Sequence, residues 1–276
     1  NVSITATGRE VDIRNKAVIH SLVDLIRPTV VVNFAFITTV RETFADPYNT
    51  YQTGLLGMLN LLEGLKAIKF SGRILNISSS EVYGFPDARD LPIVESAPLK
   101  PMSPYSVAKI SAEALGYQWF KSEGMDIVTA RPFTHIGPGQ TDRFALSSFS
   151  KQLAEMALGL KEPVIEVDNL NSTRDITDVR DIVRAYCLLL DIGEPGEIYN
   201  VCSGREVKIR NLLDRLIELS EIAVTVKTDT SLVRSTEQHQ IFGSYKKLFD
   251  QTGWSPEISL DITLLDMIEF WKKKLG

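Results

Sequence analysis

The sequence predicts an α/β fold with a doubly wound parallel sheet, and two observations support this. Apolar runs of strand length recur through the first two thirds of the chain, and a helical pattern lies between them. The predicted strands occupy residues 29–35 (TVVVNFA), 73–78 (RILNIS) and 126–132 (DIVTARP). They are rich in β-branched and apolar residues, as strands buried on both faces should be. The alternation of strands and helices predicts parallel pairing, because parallel neighbours need a crossover connection.

The intervening helices are predicted at residues 16–26, 48–68 and 104–123. Ligands of such sheets bind at the carboxyl ends of the strands. Residues 78–81 and 131–135 lie at the carboxyl ends of the second and third predicted strands. We therefore expect functional side chains in these two segments.

The pattern changes at about residue 140. The later part is predicted to contain helices at 144–160, 182–190, 208–222 and 262–274, with strands at 163–167, 197–202 and 224–228. We therefore expect two domains. Residues 1–140 form a dinucleotide-binding sheet domain, and residues 141–276 mainly form a smaller substrate-binding lobe that is interleaved with it.

A dinucleotide-binding sheet normally opens with a strand, a Gly-rich turn and a helix whose N-terminus holds the pyrophosphate. No G-x-x-G-x-x-G turn precedes Asp12 in this sequence. We expect that one opening βαβ unit, about 30 residues long, lies outside the sequence. The alternative is a chain that binds no dinucleotide.

Composition argues against several classes of function. The formal net charge of −5 gives no general attraction to nucleic acid or anionic membranes. No run approaches the ~18 apolar residues that a membrane span needs. Cys187 and Cys202 lie in apolar stretches without metal-ligand spacing, so we expect buried, reduced thiols and no metal site. Reduced thiols favour a cytoplasmic protein.

The most informative residues are Tyr105 and Lys109 in YSVAK, with Ser79 upstream in SSSEVYG. A Tyr and a Lys four apart on a helix share one face. A serine at the end of a preceding strand can meet that face. A phenol can give or take the proton on a substrate oxygen, and a nearby ammonium is expected to lower the pKa of the phenol. The serine hydroxyl adds a hydrogen bond where charge develops. The set predicts carbonyl/alcohol redox chemistry.

These residues resemble the extended short-chain dehydrogenase/reductase family of sugar-nucleotide epimerases, dehydratases and reductases. The resemblance covers essentially the whole chain and implies a Rossmann-like fold, with Ser79, Tyr105 and Lys109 as the catalytic triad. It also implies that NADP or NAD is the cofactor. The implied cofactor-binding residues are Asp12, Ile13, Ala35, Tyr105, Lys109 and His135.

Within that family, three stretches resemble the reductases of GDP-4-keto-6-deoxy-mannose: KPMSPY at 100–105, RPFTHIGPGQ at 131–140, and the segment 168–181. The implied substrate-binding residues are Ser80, Glu81, Thr134, Arg174, Arg234 and Glu237. Three positions depart from the family pattern. Gly54 stands where an Asn is usual in the helix after Asp-Pro, Thr134 replaces an Asn, and Ser235 replaces a Pro.

Several of these residues have alternative roles. Glu81 could contact substrate hydroxyls, or it could act as the base that removes a sugar proton in the related dehydratases. Arg174 and Arg234 suit diphosphate oxygens because a guanidinium binds them bidentately, but each could instead form a surface ion pair. His135 could pack beside the nicotinamide or be a satisfied core histidine.

The resemblance implies NAD(P)H-dependent reduction of a nucleotide-linked 4-keto-6-deoxy sugar, GDP-4-keto-6-deoxy-D-mannose to GDP-D-rhamnose. One alternative is a sugar-nucleotide 4,6-dehydratase or 4-epimerase on the same scaffold. A second is a non-catalytic nucleotide-binding relative. Apolar stripes along residues 51–65 and 110–120 exceed what one sheet face needs. In this family such helices pair as a four-helix bundle, so we expect a homodimer.

Overall fold

The computed structural model describes residues 3–8, 10–37, 39–167, 170–228 and 241–276. They form two compact units. The first comprises Asn1–Gly84, Glu95–Pro132 and Tyr186–Tyr199, and the second comprises Phe85–Val94, Phe133–Ala185 and Asn200–Gly276. The boundary near residue 140 stays a prediction.

The strands, in chain order, are β1 (Val30–Asn33), β2 (Arg73–Ile77), β3 (Asp126–Pro132), β4 (Thr134–Ile136), β5 (Val164–Val167), β6 (Thr173–Asp178), β7 (Ile198–Val201), β8 (Glu206–Lys208) and β9 (Thr225–Thr228). The helices are α1 (Lys16–Ile26), α2 (Val40–Ala45), α3 (Pro47–Tyr51), α4 (Gly57–Ala67), α5 (Pro104–Glu123), α6 (Ala145–Ala157), α7 (Val179–Ile192), α8 (Ile209–Ser220), α9 (Lys246–Thr252) and α10 (Leu260–Leu275). A π-helical turn, Gln52–Leu56, joins α3 to α4.

The main sheet has the strand order β1-β2-β3-β7. β1 and β2 pair in parallel, as do β2 and β3, with Leu75 opposite both Val32 and Val128. The predicted parallel α/β fold is therefore confirmed. β2 and β3 are almost wholly buried, which explains their continuous apolar runs.

Local capping fixes the two helices that matter most for the first unit. Asn15 precedes α1, and its side chain accepts the backbone N–H of Val18, one of the donors that a helix start leaves unpaired. Ser103 and Ser106 form a reciprocal capping box before α5. Gly124 ends α5 with a φ of 68°, a left-handed conformation that glycine adopts readily. Apolar residues of α1, α4, β2 and β3 form the core of this unit.

The second unit contains two smaller sheets. One has the order β4-β6-β8, with β4 parallel and β8 antiparallel to β6, and the other pairs β5 with β9 in parallel. A separate core of this unit includes Leu153, Ile165, Ile176, Leu213 and Leu264.

One expectation about the cysteines was wrong. Both are free thiols, but Cys187 is exposed and only Cys202 is buried. Cys187 lies on the outer face of α7, one turn after the exposed Val183, because the amphipathic helix buries its opposite face. No helix in the described part of the chain is sufficiently long and apolar to cross a bilayer.

Candidate active site

Tyr105 lies in the first turn of α5, and the capping box holds that turn. The Ser103 hydroxyl accepts the N–H of Ser106 at 3.1 Å, and the Ser106 hydroxyl accepts the N–H of Ser103 at 3.1 Å. Pro104 occupies the first helical position, where its missing N–H costs no hydrogen bond. The local sequence therefore fixes where the Tyr105 side chain leaves the helix.

Ser79 follows β2 and begins a 3₁₀ helix, Ser80–Tyr83. Its hydroxyl accepts the backbone N–H of Glu81 at 3.2 Å and is hydrogen-bonded to the Tyr105 side chain. Because the Glu81 N–H is a donor, the Ser79 proton remains available for donation to another oxygen. The structure thus brings Ser79, Ser80, Glu81 and Tyr105 to one place.

The expected lowering of the Tyr105 pKa was wrong for this structure. Burial raises the pKa of Tyr105 to about 12, the hydrogen bond to Ser79 lowers it, and the nearby charge of Glu81 raises it further. Removal from water disfavours the phenolate. Tyr105 therefore keeps its proton at neutral pH, which is the form that a general acid needs.

Lys109 lies one turn further along α5 and is buried. Its ammonium donates to the carbonyl of Ile77, the last residue of β2, at 2.6 Å. Burial lowers the pKa of Lys109 to about 7, while the charge of Glu113 opposes that shift. The Tyr105 ring centroid is 5.6 Å from Nζ. Tyr105 and Lys109 therefore share a helix face beside the end of β2, as the sequence predicted.

A buried ion pair that the sequence analysis missed lies one turn beyond Lys109. The Glu113 carboxylate accepts from Nε and Nη2 of Arg131 at 2.9 and 2.6 Å, and it also accepts the Ser78 hydroxyl. Arg131 donates as well to the hydroxyl of Tyr83 at 2.9 Å and the carbonyl of Glu95 at 3.1 Å. Both charged side chains are at most 5% exposed. The network joins α5 to the ends of β2 and β3.

Asp12 and Ile13 form a small structure before α1. The exposed Asp12 carboxylate pairs with Arg14, which lowers the pKa of Asp12 to about 2. The Asn60 side chain donates to the carbonyls of Ile13 and Arg14, each at 3.0 Å. A pocket of about 520 Å³ opens here, lined by Asp12, Arg14, Asn15, Lys16, Ala17 and Gln52. Its donors and acceptors suit a polar ring or ribose.

Ala35 lies in a tight turn after β1. Its N–H donates to the Asn33 side chain at 3.1 Å, and the N–H of Phe36 donates to the carbonyl of Phe34 at 2.8 Å. The turn exposes Ala35 and directs the Phe36 ring to within 6.4 Å of the Tyr105 ring. Nothing in the sequence motif indicated a role for Phe36.

Three predicted site residues lie in the second unit. Thr134 and His135 belong to β4, and Arg174 lies on the neighbouring β6. Nδ1 of His135 lies 3.0 Å from the carbonyl of Phe133, so this nitrogen carries the proton in the neutral ring. Burial lowers the pKa of His135. Nη1 of Arg174 donates to the carbonyl of Thr173 at 2.6 Å.

Arg234 and Glu237 lie outside the described residues, so their predicted contacts stay predictions. Among the residues that are described, no group of three or more His, Cys, Asp or Glu side chains is placed to hold a metal ion.

The parallel sheet, with Ser79 at a strand end and Tyr105 and Lys109 on the following helix, defines an α/β protein of the extended short-chain dehydrogenase/reductase class. Comparison with known proteins narrows this class. The chain belongs to the family described as GDP-mannose 4,6 dehydratase, which matches residues 5–267.

The relatives include two kinds of enzyme. GDP-6-deoxy-D-mannose reductase of Pseudomonas aeruginosa is 43% identical over 248 residues, which are 90% of this chain and 82% of that protein. GDP-mannose 4,6-dehydratase of Yersinia enterocolitica is 25% identical over an alignment that covers 93% of this chain and 76% of that protein. Among solved structures, RMD from Pseudomonas aeruginosa complexed with NADPH has a TM-score of 0.92 at 40% identity, over 99% of this chain and 90% of that one.

Proposed function

We propose that this protein reduces the C4 carbonyl of a nucleotide-linked 4-keto-6-deoxy sugar, GDP-4-keto-6-deoxy-D-mannose, to give GDP-D-rhamnose. The observation that carries the proposal is that Tyr105 shares a helix face with the buried Lys109 beside Ser79 at the end of β2. The 43% identity to a GDP-6-deoxy-D-mannose reductase supports the choice of substrate.

The chain's residues supply the proton and stabilise charge. Tyr105, protonated at neutral pH, donates its proton to the C4 oxygen, and Ser79 donates a hydrogen bond to the same oxygen as negative charge develops on it. The phenolate that Tyr105 becomes is then stabilised by the Lys109 ammonium. A reduced nicotinamide, when bound, supplies the hydride to C4.

The donor set fits a nicotinamide dinucleotide. Asp12 borders a pocket of about 520 Å³, which can receive the adenosine end, and we assign the adjacent Ile13 to the same end of the cofactor. The turn after β1 leaves Ala35 exposed, and we assign this residue to the cofactor as well. Tyr105 and Lys109 offer a hydroxyl and an ammonium to the nicotinamide ribose. We assign His135 to the nicotinamide end as well.

The substrate residues follow from chemical type. Ser80, Glu81 and Thr134 are assigned to the sugar, with Glu81 as a hydroxyl ligand because a reductase needs no base for a sugar proton. Arg174 and Arg234 are assigned to the diphosphate, and Glu237 to the nucleotide ribose.

The test supplies NADPH or NADH to the full-length protein with GDP-4-keto-6-deoxy-D-mannose. We expect one equivalent of reduced cofactor to be oxidised for each sugar, with GDP-D-rhamnose identified by NMR. Turnover of GDP-mannose without net oxidation of added cofactor would instead identify a dehydratase. Binding of nucleotide without turnover of either sugar would identify a non-catalytic relative.

We also propose that the protein is a cytoplasmic homodimer. Cytoplasmic placement is supported by the two free thiols. The dimer is supported by exposed apolar side chains along α3, its π-helical turn and α5. These include Tyr48, Tyr51, Leu55, Leu56, Val107 and Tyr117, each at least 36% exposed. A surface with several exposed apolar side chains often marks an interaction surface, and pairing with a second copy would form a four-helix bundle.

Replacing Leu55 with Glu is expected to convert the dimer into a monomer, because two copies of the charge would be buried at a symmetric interface. Sedimentation velocity measures the change. Ile262→Glu on α10, which is 51% exposed in the wild type, is the matched control and should leave the dimer intact. A monomeric wild type, or a dimeric Leu55→Glu variant, would contradict the proposal.

A further inference from the structure

The ammonium of Lys109 lies against an aromatic ring. Nζ is 3.4 Å from the centroid of the Phe36 ring, and it donates a hydrogen bond to the carbonyl of Ile77 at 2.6 Å. Lys109 is 4% exposed. A cation at this distance from a ring face is attracted by the ring quadrupole, and the attraction is strongest where water is excluded.

Phe36 is placed there by the turn after β1. The side chain of Asn33 accepts the N–H of Ala35, and the carbonyl of Phe34 accepts the N–H of Phe36. Asn33 is itself buried and donates to the sulfur of Met58. The ring therefore approaches Lys109 from an element other than the helix that carries Lys109.

Gly54 provides the space for that ring. It is buried in the π-helical turn, and a Cβ at this position would lie 2.8 Å from Cε1 of Phe36 and 2.8 Å from Cβ of Ala108. Both distances are shorter than real Cβ contacts allow. Ala108 precedes Lys109 within α5, where the helix backbone holds it in place. An added Cβ would therefore displace the Phe36 ring more easily than the helix.

We propose that Phe36 is a positioning residue that holds the Lys109 ammonium through its ring face, in a space that exists because residue 54 is glycine. The inference rests on the proposed function, since it concerns how the catalytic lysine is kept charged and in place. It also explains the departure from the usual Asn at position 54, because any side chain there would compete with the ring.

The electrostatic effect of the Phe36 ring on the pKa of Lys109 has a definite direction. Ionisable groups near the ammonium are Tyr105 and Glu113, both on α5. β2 presents the Ile77 carbonyl, and the turn after β1 presents the Phe36 ring. The ring favours the charged amine, so weakening its quadrupole should lower the Lys109 pKa from its value of about 7. Lys109 would then lose its charge at a lower pH.

The test replaces Phe36 with 3,5-difluorophenylalanine by amber suppression, which weakens the quadrupole with little change in shape. The Lys109 pKa is read from ¹³Cε shifts in lysine-labelled, cofactor-free protein, with Lys109→Met to assign the resonance. We expect the pKa to fall by up to about one unit. The same replacement at Phe249, which is 49% exposed, is the control and should leave the Lys109 pKa unchanged. An unchanged Lys109 pKa in the Phe36 variant would overturn the proposal.

A second measurement tests the role of Gly54. Gly54→Ala should displace the ring and move the basic limb of the pH profile of kcat to lower pH, by about one unit. In a Phe36→Leu background, Gly54→Ala should shift the basic limb of the pH profile much less, because both substitutions alter the same contact between the Phe36 ring and Lys109. Equal shifts in both backgrounds would contradict the proposal. The NMR measurement needs no turnover, so an inactive wild type would refute the proposed function without deciding this inference.

Discussion

Tyr105→Phe is expected to lower kcat for sugar reduction by about a thousandfold, while KM changes little. The ring would keep its place against Phe36, but the proton donor and the hydrogen bond to Ser79 would be lost. Loss of a positioned general acid typically costs a factor of ~10²–10⁴. A fall in kcat at constant KM is typical of an interaction made in the transition state alone. Steady-state kinetics with NADPH and the keto sugar measures both constants.

The matched control is Tyr117→Phe, which removes the same oxygen from the same helix. Tyr117 is 55% exposed, and its variant should retain wild-type turnover. Equilibrium binding of NADPH to Tyr105→Phe, followed by fluorescence, separates lost chemistry from lost cofactor affinity. Full turnover by Tyr105→Phe would show that another group protonates the C4 oxygen.

The parts of the fold with strong local signals could be predicted from sequence. α1 and α5 were predicted with their observed bounds. In the structure, Asn15 and the Ser103 capping box begin these helices, and Gly124 ends α5. β3 was likewise recognisable as a long buried apolar run. β4 and β8, each three residues long, were missed. Three residues are too few to show a periodic pattern, and the pairing of these strands depends on contacts distant in sequence.

Some contacts of the candidate site could likewise be predicted from the sequence, and others could not. Tyr105 and Lys109 share a helix face through spacing alone, so their proximity was predictable. Phe36 was not, because its approach to Lys109 depends on a tight turn and on the space beside Gly54. The pKa of Tyr105 was misjudged because spacing predicts a neighbouring charge but not how much water is removed from the phenol.

The Glu113–Arg131 pair did leave a signal. An arginine in the buried third strand must be paired or it would cost several kcal/mol, which points to a partner carboxylate. Glu113 lies on the same face of α5 as Lys109, one turn on. Sequence alone could not choose it over the other acidic residues, since the contact joins a helix to the end of a strand.

Glu113→Gln is expected to lower the free energy of unfolding by about 3–5 kcal/mol, the usual cost of removing one partner of a buried ion pair. Burial acts to lower the pKa of Arg131, and the Glu113 carboxylate raises it. The guanidinium would stay charged in the variant because the intrinsic pKa of arginine lies far above neutral pH, so it would be left as a buried charge without its carboxylate partner. Urea unfolding followed by circular dichroism measures the loss from the midpoint and slope. Lys66→Met tests an exposed pair, with Glu123, and should cost about 1 kcal/mol or less.

The double variant Glu113→Leu with Arg131→Met separates buried charge from general disruption. Removing both charges leaves no unpaired ion, so the combined loss should be smaller than that of Glu113→Gln alone. Additive losses would show that packing, not charge, dominates this network. Glu113 also raises the Lys109 pKa. The Glu113→Gln variant should therefore have the basic limb of its pH–activity profile at lower pH than the wild type, when it is assayed under conditions in which it stays folded. The Glu113 carboxylate would thus contribute both to the stability of this core and to the charge on the catalytic lysine.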